Sequence, residues 1–404
     1  MADFKLMRQL AKSDGGKIIL LVLDGLGGLP MGEYTETTLE YANTPVMDDL
    51  AQEGCLGLSH PIARGITPGS GPAHLALFGY DPVGTPVGRG VLSALGIGFD
   101  LKPEDVAARG NFCSVDARGY ITDRRAGRID SDVALPLVEK LDQINIPGVE
   151  TFVRQVKEYR FMLALRAEGL NGALDDTDPQ VTGKPPLPAT ALEPDAERTA
   201  EFVRAWLAEA QRVLQNDHPA NMVTLRGFGQ DPILPKFHEV YKLNAACVAV
   251  YPMYKGVSRL VGMDVLETGS HFTPSDEFKV VAEHWDDYDF FFVHIKPTDS
   301  RGEDGDFNAK ASVIESVDQA LPKLLALKPD VLLITGDHST PAKLRSHSWH
   351  PVPTLLSAPA SHLRDSAKRF GEREAQRGGL GHFMAQDLMP LALAHALRLE
   401  KYGA

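Results

Sequence analysis

Cysteine is scarce. Cys55, Cys113 and Cys247 are the three in the chain, far apart and without CxxC spacing. That pattern excludes a disulfide framework and a cysteine-built metal site; isolated cysteines of this kind read as small buried apolar residues of a reducing compartment. An excess of positive charge is missing as well. Lys and Arg number 41 against 54 Asp and Glu, a net charge of −13, which argues against a nucleic-acid partner, whose footprint is basic. A local arginine cluster can still take a small anionic substrate. Long apolar runs are also absent from the start of the chain: MADFKLMRQLAKSDGG has no signal-like apolar core, and the first run, Ile18–Leu23, has six residues. Six is too few to span a membrane and right for a buried strand. No membrane partner and a cytoplasmic location are therefore expected. Repeats and low-complexity tracts are not found. What is present is an ordinary globular composition, 43% hydrophobic and 24% charged, over 404 residues. That length suits two domains, or one large α/β unit with an insertion.

Three apolar runs share one pattern. Lys17-Ile-Ile-Leu-Leu-Val-Leu23 ends in Asp24-Gly25, Asp289-Phe-Phe-Phe-Val-His-Ile295 leads to Thr298-Asp299, and Val331-Leu-Leu-Ile-Thr-Gly336 ends in Asp337-His338. Runs without polar alternation read as strands of a parallel sheet buried on both faces. Helical patterns such as the one over 309–325 separate them, which predicts an α/β sheet with helices on both sides. All three strands end in carboxylates, where ligands gather in such sheets. The first run stands far from the other two. The stretch between, 106–262, has strand candidates at Phe161–Leu165, Met222–Leu225 and Cys247–Tyr251, and an amphipathic helix at Glu197–Leu214. A Pro-rich loop begins at Gly183. The expected organisation is a discontinuous domain, 1–105 with 263–404, interrupted by a smaller inserted domain at 106–262.

Candidate chemistry begins at Thr67-Pro-Gly-Ser-Gly-Pro-Ala-His74, a Gly-flanked turn followed by a short apolar helix. Ser70 at a helix start can be a plain N-cap. It can also be a nucleophile, since free amides and the helix dipole favour an alkoxide and a phosphoryl group there. His74, one turn on, orients the site or simply packs. Asp24 before Gly25-Leu-Gly-Gly28 is turn chemistry or a ligand. Asp337-His338 offers adjacent O and N donors for a divalent cation, and His347 and His350 follow closely. Asp299 and Glu303, four apart, share a face if that segment is helical, and are otherwise a solvated acidic loop. Together these residues supply donors for two cations beside a serine, an arrangement suited to phosphoryl transfer.

The order and wording of the motifs resemble the alkaline phosphatase superfamily, and within it the archaeal-type branch of cofactor-independent phosphoglycerate mutase. The residues carrying the resemblance include Val22-Leu-Asp-Gly-Leu-Gly27, Asn43-Thr-Pro45, Pro68-Gly-Ser70, Gly88-Arg-Gly90, Arg109-Gly-Asn-Phe112, Asp123-Arg-Arg-Ala-Gly-Arg128, Leu225-Arg-Gly227, Lys255-Gly256, His294-Ile-Lys-Pro-Thr-Asp299, Gly336-Asp-His338 and His347-Ser-Trp-His-Pro-Val-Pro353. They run through nearly the whole chain. The resemblance implies a three-layer α/β sandwich with a mainly parallel sheet and an inserted α/β (α+β) domain. It further implies that Ser70 becomes phosphorylated, that one metal is held by Asp24, Ser70, Asp337 and His338, and that another is held by Asp299, His347 and a third ligand four residues after Asp299. The family generally has histidine at that last place; this chain has Glu303. A carboxylate there makes the site harder, favouring Mn²⁺ or Mg²⁺ over Zn²⁺ or Co²⁺.

By the same resemblance the inserted domain binds a phosphorylated carboxylate. The candidates are Arg89, Arg109, Arg124, Arg125, Arg128, Arg160, Arg226, Lys255 and Arg259, since guanidinium forks suit both anions; two or three of these are expected to be surface or structural charges. The implied reaction interconverts 3-phosphoglycerate and 2-phosphoglycerate through phosphoserine, with closure that keeps water off the intermediate and without 2,3-bisphosphoglycerate. The alternative is a phosphatase or homoserine-kinase-like phosphotransferase of the same superfamily. A non-catalytic sensor on this fold would have lost the nucleophile or the ligands, whereas Ser70 and six of the seven expected ligand types are present.

Overall fold

The run Ile18–Leu23 forms a strand with all six residues buried. It lies between Phe290–Ile295 and Val331–Thr335, parallel to both, with Ile18 opposite Phe290 on one side and Val331 on the other. The three runs read from sequence are thus immediate neighbours at the centre of one sheet, and their carboxylate-bearing ends emerge side by side. This computed structural model describes residues 4–269 and 272–403. Eight strands make the sheet, in the order Gly381–Met384, Cys55–His60, Val352–Ser357, Val331–Thr335, Ile18–Leu23, Phe290–Ile295, Ala245–Ala249 and Asp264–Val265. Val352–Ser357 runs against both its neighbours, and the other pairings are parallel.

Both faces of the sheet are buried, which explains the unbroken apolar runs. Ile19, Leu21, Leu23, Phe291, Val293 and Ile295 face a core shared with Met47, Phe278, Ile314 and Val317, from the helices Pro45–Glu53, Pro274–Glu283 and Phe307–Ala320. On the opposite face Phe290 and Phe292 pack against Phe237 and Phe78. The helical pattern expected over 309–325 is interrupted: one helix ends at Ala320 and another starts at Pro322, because proline is tolerated in a first helical turn and not in an interior.

The chain divides into two compact units, Met1–Pro86 with Pro235–Ala404, and Val87–Leu234. The smaller unit has a five-stranded antiparallel sheet of Val106–Val115, Ile121–Asp123, Glu150–Lys157, Arg160–Arg166 and Met222–Gly229. One face packs on Ser131–Asp142 and on the expected amphipathic helix Glu197–Leu214, whose Val203, Trp206 and Ala210 join Phe161, Leu163 and Leu225. The other face takes the helix Arg89–Gly96, with Ala94 against Ala107, Met162 and Ala164.

Both boundaries of the insertion therefore differ from those expected at 106 and 262. Residues 87–105 belong with the smaller unit because their helix covers its sheet. Residues 235–262 belong with the larger one. The strand candidate Cys247–Tyr251 is observed as Ala245–Ala249, pairing in parallel with Phe290–Ile295; a short apolar run does not say which sheet it will join. Among the described residues no helix is long and apolar enough to cross a membrane.

Candidate active site

Four of the candidate ligands meet at the C-terminal end of the central strands, and in each the hydrogen bonding leaves one lone pair aimed inward. Asp24 follows the strand Ile18–Leu23 directly. Its Oδ2 accepts from the Tyr254 hydroxyl and lies 3.0 Å from Lys296 Nζ, while Oδ1 has no hydrogen-bond partner. Asp337 Oδ1 accepts from the Gly25 amide at 3.0 Å, which leaves Oδ2 without a hydrogen bond. Thr340 donates its hydroxyl proton to Asp299 Oδ1 at 2.7 Å and so receives Nδ1–H of His338 at 3.0 Å. That assigns the His338 tautomer: Nε2 keeps its lone pair. This Nε2 lies 3.3 Å from Asp24 Oδ1, 3.1 Å from Asp337 Oδ2 and 3.3 Å from Ser70 Oγ, whose hydroxyl donates to it.

Ser70 opens the helix Ser70–Leu77 after Gly69, with no side chain capping the helix start. The plain N-cap reading is thereby excluded, since Ser70 is itself the first helical residue. Its Oγ points at the lone-pair cluster rather than back at its own helix. His74, one turn on, donates Nδ1–H to the Ser70 carbonyl at 2.7 Å and lies 3.4 Å from Asp337 Oδ2. It orients rather than merely packs.

A second group adjoins the first. Asp299 stands in the helix Pro297–Asp304, and its Oδ1 is 3.5 Å from His347 Nε2. His347 donates Nδ1–H to the Pro68 carbonyl at 3.0 Å, which turns Nε2 inward in the way outer hydrogen bonds orient metal-binding histidines. The rings of His338 and His347 stack at 3.6 Å. Asp24, Asp337 and His338 form one set of donor atoms able to hold a cation, and Asp299, His338 and His347 another, the atoms of each set within 4.8 Å of one another. Glu303 is on the same helix as Asp299 but its side chain is 56% exposed and 3.9 Å from His347, so it stands at the rim. His350 bonds Ser348 at 3.0 Å and stands outside both sets.

The electrostatics fit cations. Burial pushes the Asp24 carboxyl up, but Lys296 and the His294 ring, 3.4 Å from Oδ2, outweigh it and hold the group well below the usual carboxylate range. Asp337, buried and beside the Asp24 charge, is pushed well above that range. Burial drives His338 well below its ordinary value and His74 down to about 3, so both imidazoles are neutral. Buried carboxylate and imidazole acceptors converging on one place are costly unless a cation or a proton joins them.

Several participants were not singled out from sequence. Tyr254 and His294 stack beneath Asp24 at 3.5 Å between ring centroids, Lys296 pairs with Asp24 and Asp299, and Thr340 aligns both ligand sets. Lys310, fully buried, donates to the carbonyls of Gly25, Gly27 and Thr340 at 2.8–3.1 Å, and burial lowers its pKa to about 8. Gly25 has φ +63°, and a Cβ there would stand 2.4 Å from Thr340 Oγ1; the glycine lets the two loops close on each other.

The basic candidates divide. In the smaller unit Arg124 forms a fork on Asp178 at 3.0 and 2.7 Å, Arg226 lies 3.2 Å from Asp176, and Arg160 lies 3.1 Å from Glu158 with its guanidinium over Tyr159. Arg109 pairs in register with Arg226, and Arg89, at a helix start, lies in the field of Arg226 and Asp176. Arg125 and Arg128 are exposed. Lys255 and Arg259 are in the larger unit, on the helix Pro252–Leu260 that carries Tyr254.

Known proteins share this chain almost end to end. One from Thermus thermophilus, named a probable 2,3-bisphosphoglycerate-independent phosphoglycerate mutase, is 51% identical over 405 residues, covering 99% of each chain. The chain belongs to that family. The family profile of 2,3-bisphosphoglycerate-independent phosphoglycerate mutase matches residues 51–221. Among solved structures, a Pyrococcus horikoshii protein superposes with a TM-score of 0.83 at 34% identity, covering 96% of this chain and all of the other. The cofactor-independent phosphoglycerate mutase of Thermoplasma acidophilum does so with a TM-score of 0.70 at 30% identity, over 94% of this chain. The fold and family expected from the motifs are thus those found.

Proposed function

We propose that the chain interconverts 3-phosphoglycerate and 2-phosphoglycerate through a phosphoserine at Ser70, without 2,3-bisphosphoglycerate. The observation that carries this reading is the convergence of Ser70 Oγ with the His338 lone pair, beside Asp24 and Asp337. Asp24, Ser70, Asp337 and His338 would hold one divalent cation, and Asp299, Glu303 and His347 the other. Cations held there would supply the positive charge that favours the Ser70 alkoxide and offsets negative charge on the transferring phosphoryl group. The hard carboxylate of Glu303 favours Mn²⁺ or Mg²⁺ there.

Ser70 Oγ attacks phosphorus and loses its proton. The bond from phosphorus to the C3 oxygen breaks, and glycerate leaves with that electron pair and takes up one proton. The 2-hydroxyl of the same glycerate then attacks the phosphoserine, restoring Ser70 with its proton. Free amides at the start of the helix Ser70–Leu77 favour the phosphoryl group on Oγ. His74 holds the Ser70 carbonyl, and through it the angle at which the serine enters the helix. Arginines of the smaller unit, Arg89 and Arg109 among them, are the proposed partners of the glycerate carboxylate, while Arg226 is already paired with Asp176. Arg124 and Arg160 already bind Asp178 and Glu158, which favours a supporting role.

An enolase-coupled assay with Mn²⁺ and no 2,3-bisphosphoglycerate should show turnover of 3-phosphoglycerate. Ser70→Ala should lose it while keeping its circular dichroism. Release of free phosphate in place of 2-phosphoglycerate, or mutase activity surviving in Ser70→Ala, would refute the proposal.

A further inference from the structure

The strand Phe290–Ile295 brings more to the centre than a route to Asp299. Lys296, the residue just beyond it, has a side chain only 26% exposed, and its ammonium lies 3.0 Å from Asp24 Oδ2 while pairing with Asp299 Oδ2. These carboxylates belong to different ligand sets. One lysine therefore ties together the two halves of the centre. Its position is enforced from two sides: it precedes Asp299 by three residues at the start of the helix Pro297–Asp304, and its Nζ lies 5.9 Å from the ring centroid of Tyr254, whose hydroxyl donates to the same Asp24 oxygen.

Asp24 and Asp299 would otherwise oppose each other across a buried centre. An ammonium between them cancels part of that repulsion. As a compact charge on a flexible stem, it can also withdraw when another cation takes its place. We propose that Lys296 is a positioning residue that serves as a resident counter-charge, holding Asp24 and Asp299 together in the metal-free protein and competing with divalent cations for them. This inference rests on the two-metal reading given above. It goes beyond that reading in assigning the chain its own cation at the metal centre, one that weakens metal binding while stabilising the metal-free fold.

The two roles pull metal affinity and metal-free stability in opposite directions, which a purely structural lysine would not do. Binding of Mn²⁺ alone to the metal-stripped full chain, at pH 8, can be read from the electron paramagnetic resonance signal of the free ion. Lys296→Met should bind Mn²⁺ about tenfold more tightly than wild type, because a unit charge a few ångströms away no longer repels it. Its metal-free melting temperature should be lower than that of wild type. Lys296→Arg, which keeps the charge, should stay close to wild type in both. Should Lys296→Met not fold without metal, Lys296→Gln retains a neutral donor to the carboxylates and is expected to show the same tightening. Unchanged or weaker Mn²⁺ binding in the neutral variant overturns the counter-charge role, even with two metals bound. If wild type itself takes up no Mn²⁺, the two-metal reading fails first and this inference falls with it.

Discussion

Thr340→Val tests the alignment of the two donor sets with almost no change of shape. Thr340 is fully buried, and its hydroxyl makes two bonds, donating to Asp299 Oδ1 at 2.7 Å and accepting from His338 Nδ1 at 3.0 Å. Valine fills the same volume without either bond. The lost bond to a carboxylate costs about 1.5–3 kcal/mol, and an orphaned buried His338 N–H about 1–3 kcal/mol more. Metal-free Thr340→Val should therefore be less stable by about 2.5–6 kcal/mol. His338 would also lose the partner that fixes its tautomer, and losses of that kind lower metal affinity about 10–100-fold. In the enolase-coupled assay the Mn²⁺ concentration for half-maximal rate should rise by about that factor, with much of the rate recovered at saturating Mn²⁺. Thr340→Ser, which keeps the hydroxyl, should behave like wild type. A Thr340→Val variant with an unchanged Mn²⁺ requirement would show that His338 does not depend on Thr340 and would refute the tautomer assignment.

Two further perturbations probe the smaller unit and the buried imidazole. In Gly90→Ala the new Cβ would stand 2.2 Å from the Ala107 carbonyl oxygen; the helix Arg89–Gly96 must shift off its sheet, at a cost of about 1–3 kcal/mol or more, and an unchanged urea midpoint would contradict that packing. His74 is held near pKa 3 by burial, so below about pH 6.5 the unfolded chain takes up a proton that the folded chain refuses. Its contribution to stability is complete above about pH 6.5 and falls by about 1.4 kcal/mol per pH unit toward the folded value. His74→Gln should lose less stability than wild type between about pH 6.5 and 4.5, and parallel pH profiles would show that His74 is not buried neutral.

The three central strands were legible because a strand covered on both faces must be apolar throughout, and Ile18–Leu23, Phe290–Ile295 and Val331–Thr335 are. Glu197–Leu214 was legible from its helical spacing of apolar residues. The candidate donors Asp24, Asp299, Asp337, His338 and His347 were legible by type and order, because carboxylate and imidazole chemistry at strand ends narrows what such a segment can do. Sheet membership was not. Ala245–Ala249 and Arg89–Gly96 look alike whichever unit they join, and their place depends on partners far along the chain: Phe290–Ile295 for the strand, Ala107 and Met162 for the helix.

The outer supports of the site were hidden for the same reason. Nothing in the local sequence of Thr340, Tyr254 or Lys310 says that a hydroxyl will align two ligand sets, a phenol will hold Asp24, or an ammonium will join two loops. Which of the candidate arginines would also have a carboxylate beside it, as Arg124 has Asp178 and Arg160 has Glu158, was likewise not readable from the sequence. Local pattern determined which segments are strands and helices and which residues carry reactive groups, since both follow from covalent chemistry and periodicity. Only the tertiary structure decided which lone pairs face one another, because several of the orienting hydrogen bonds, to Asp24, Asp337 and His347, join residues hundreds of positions apart.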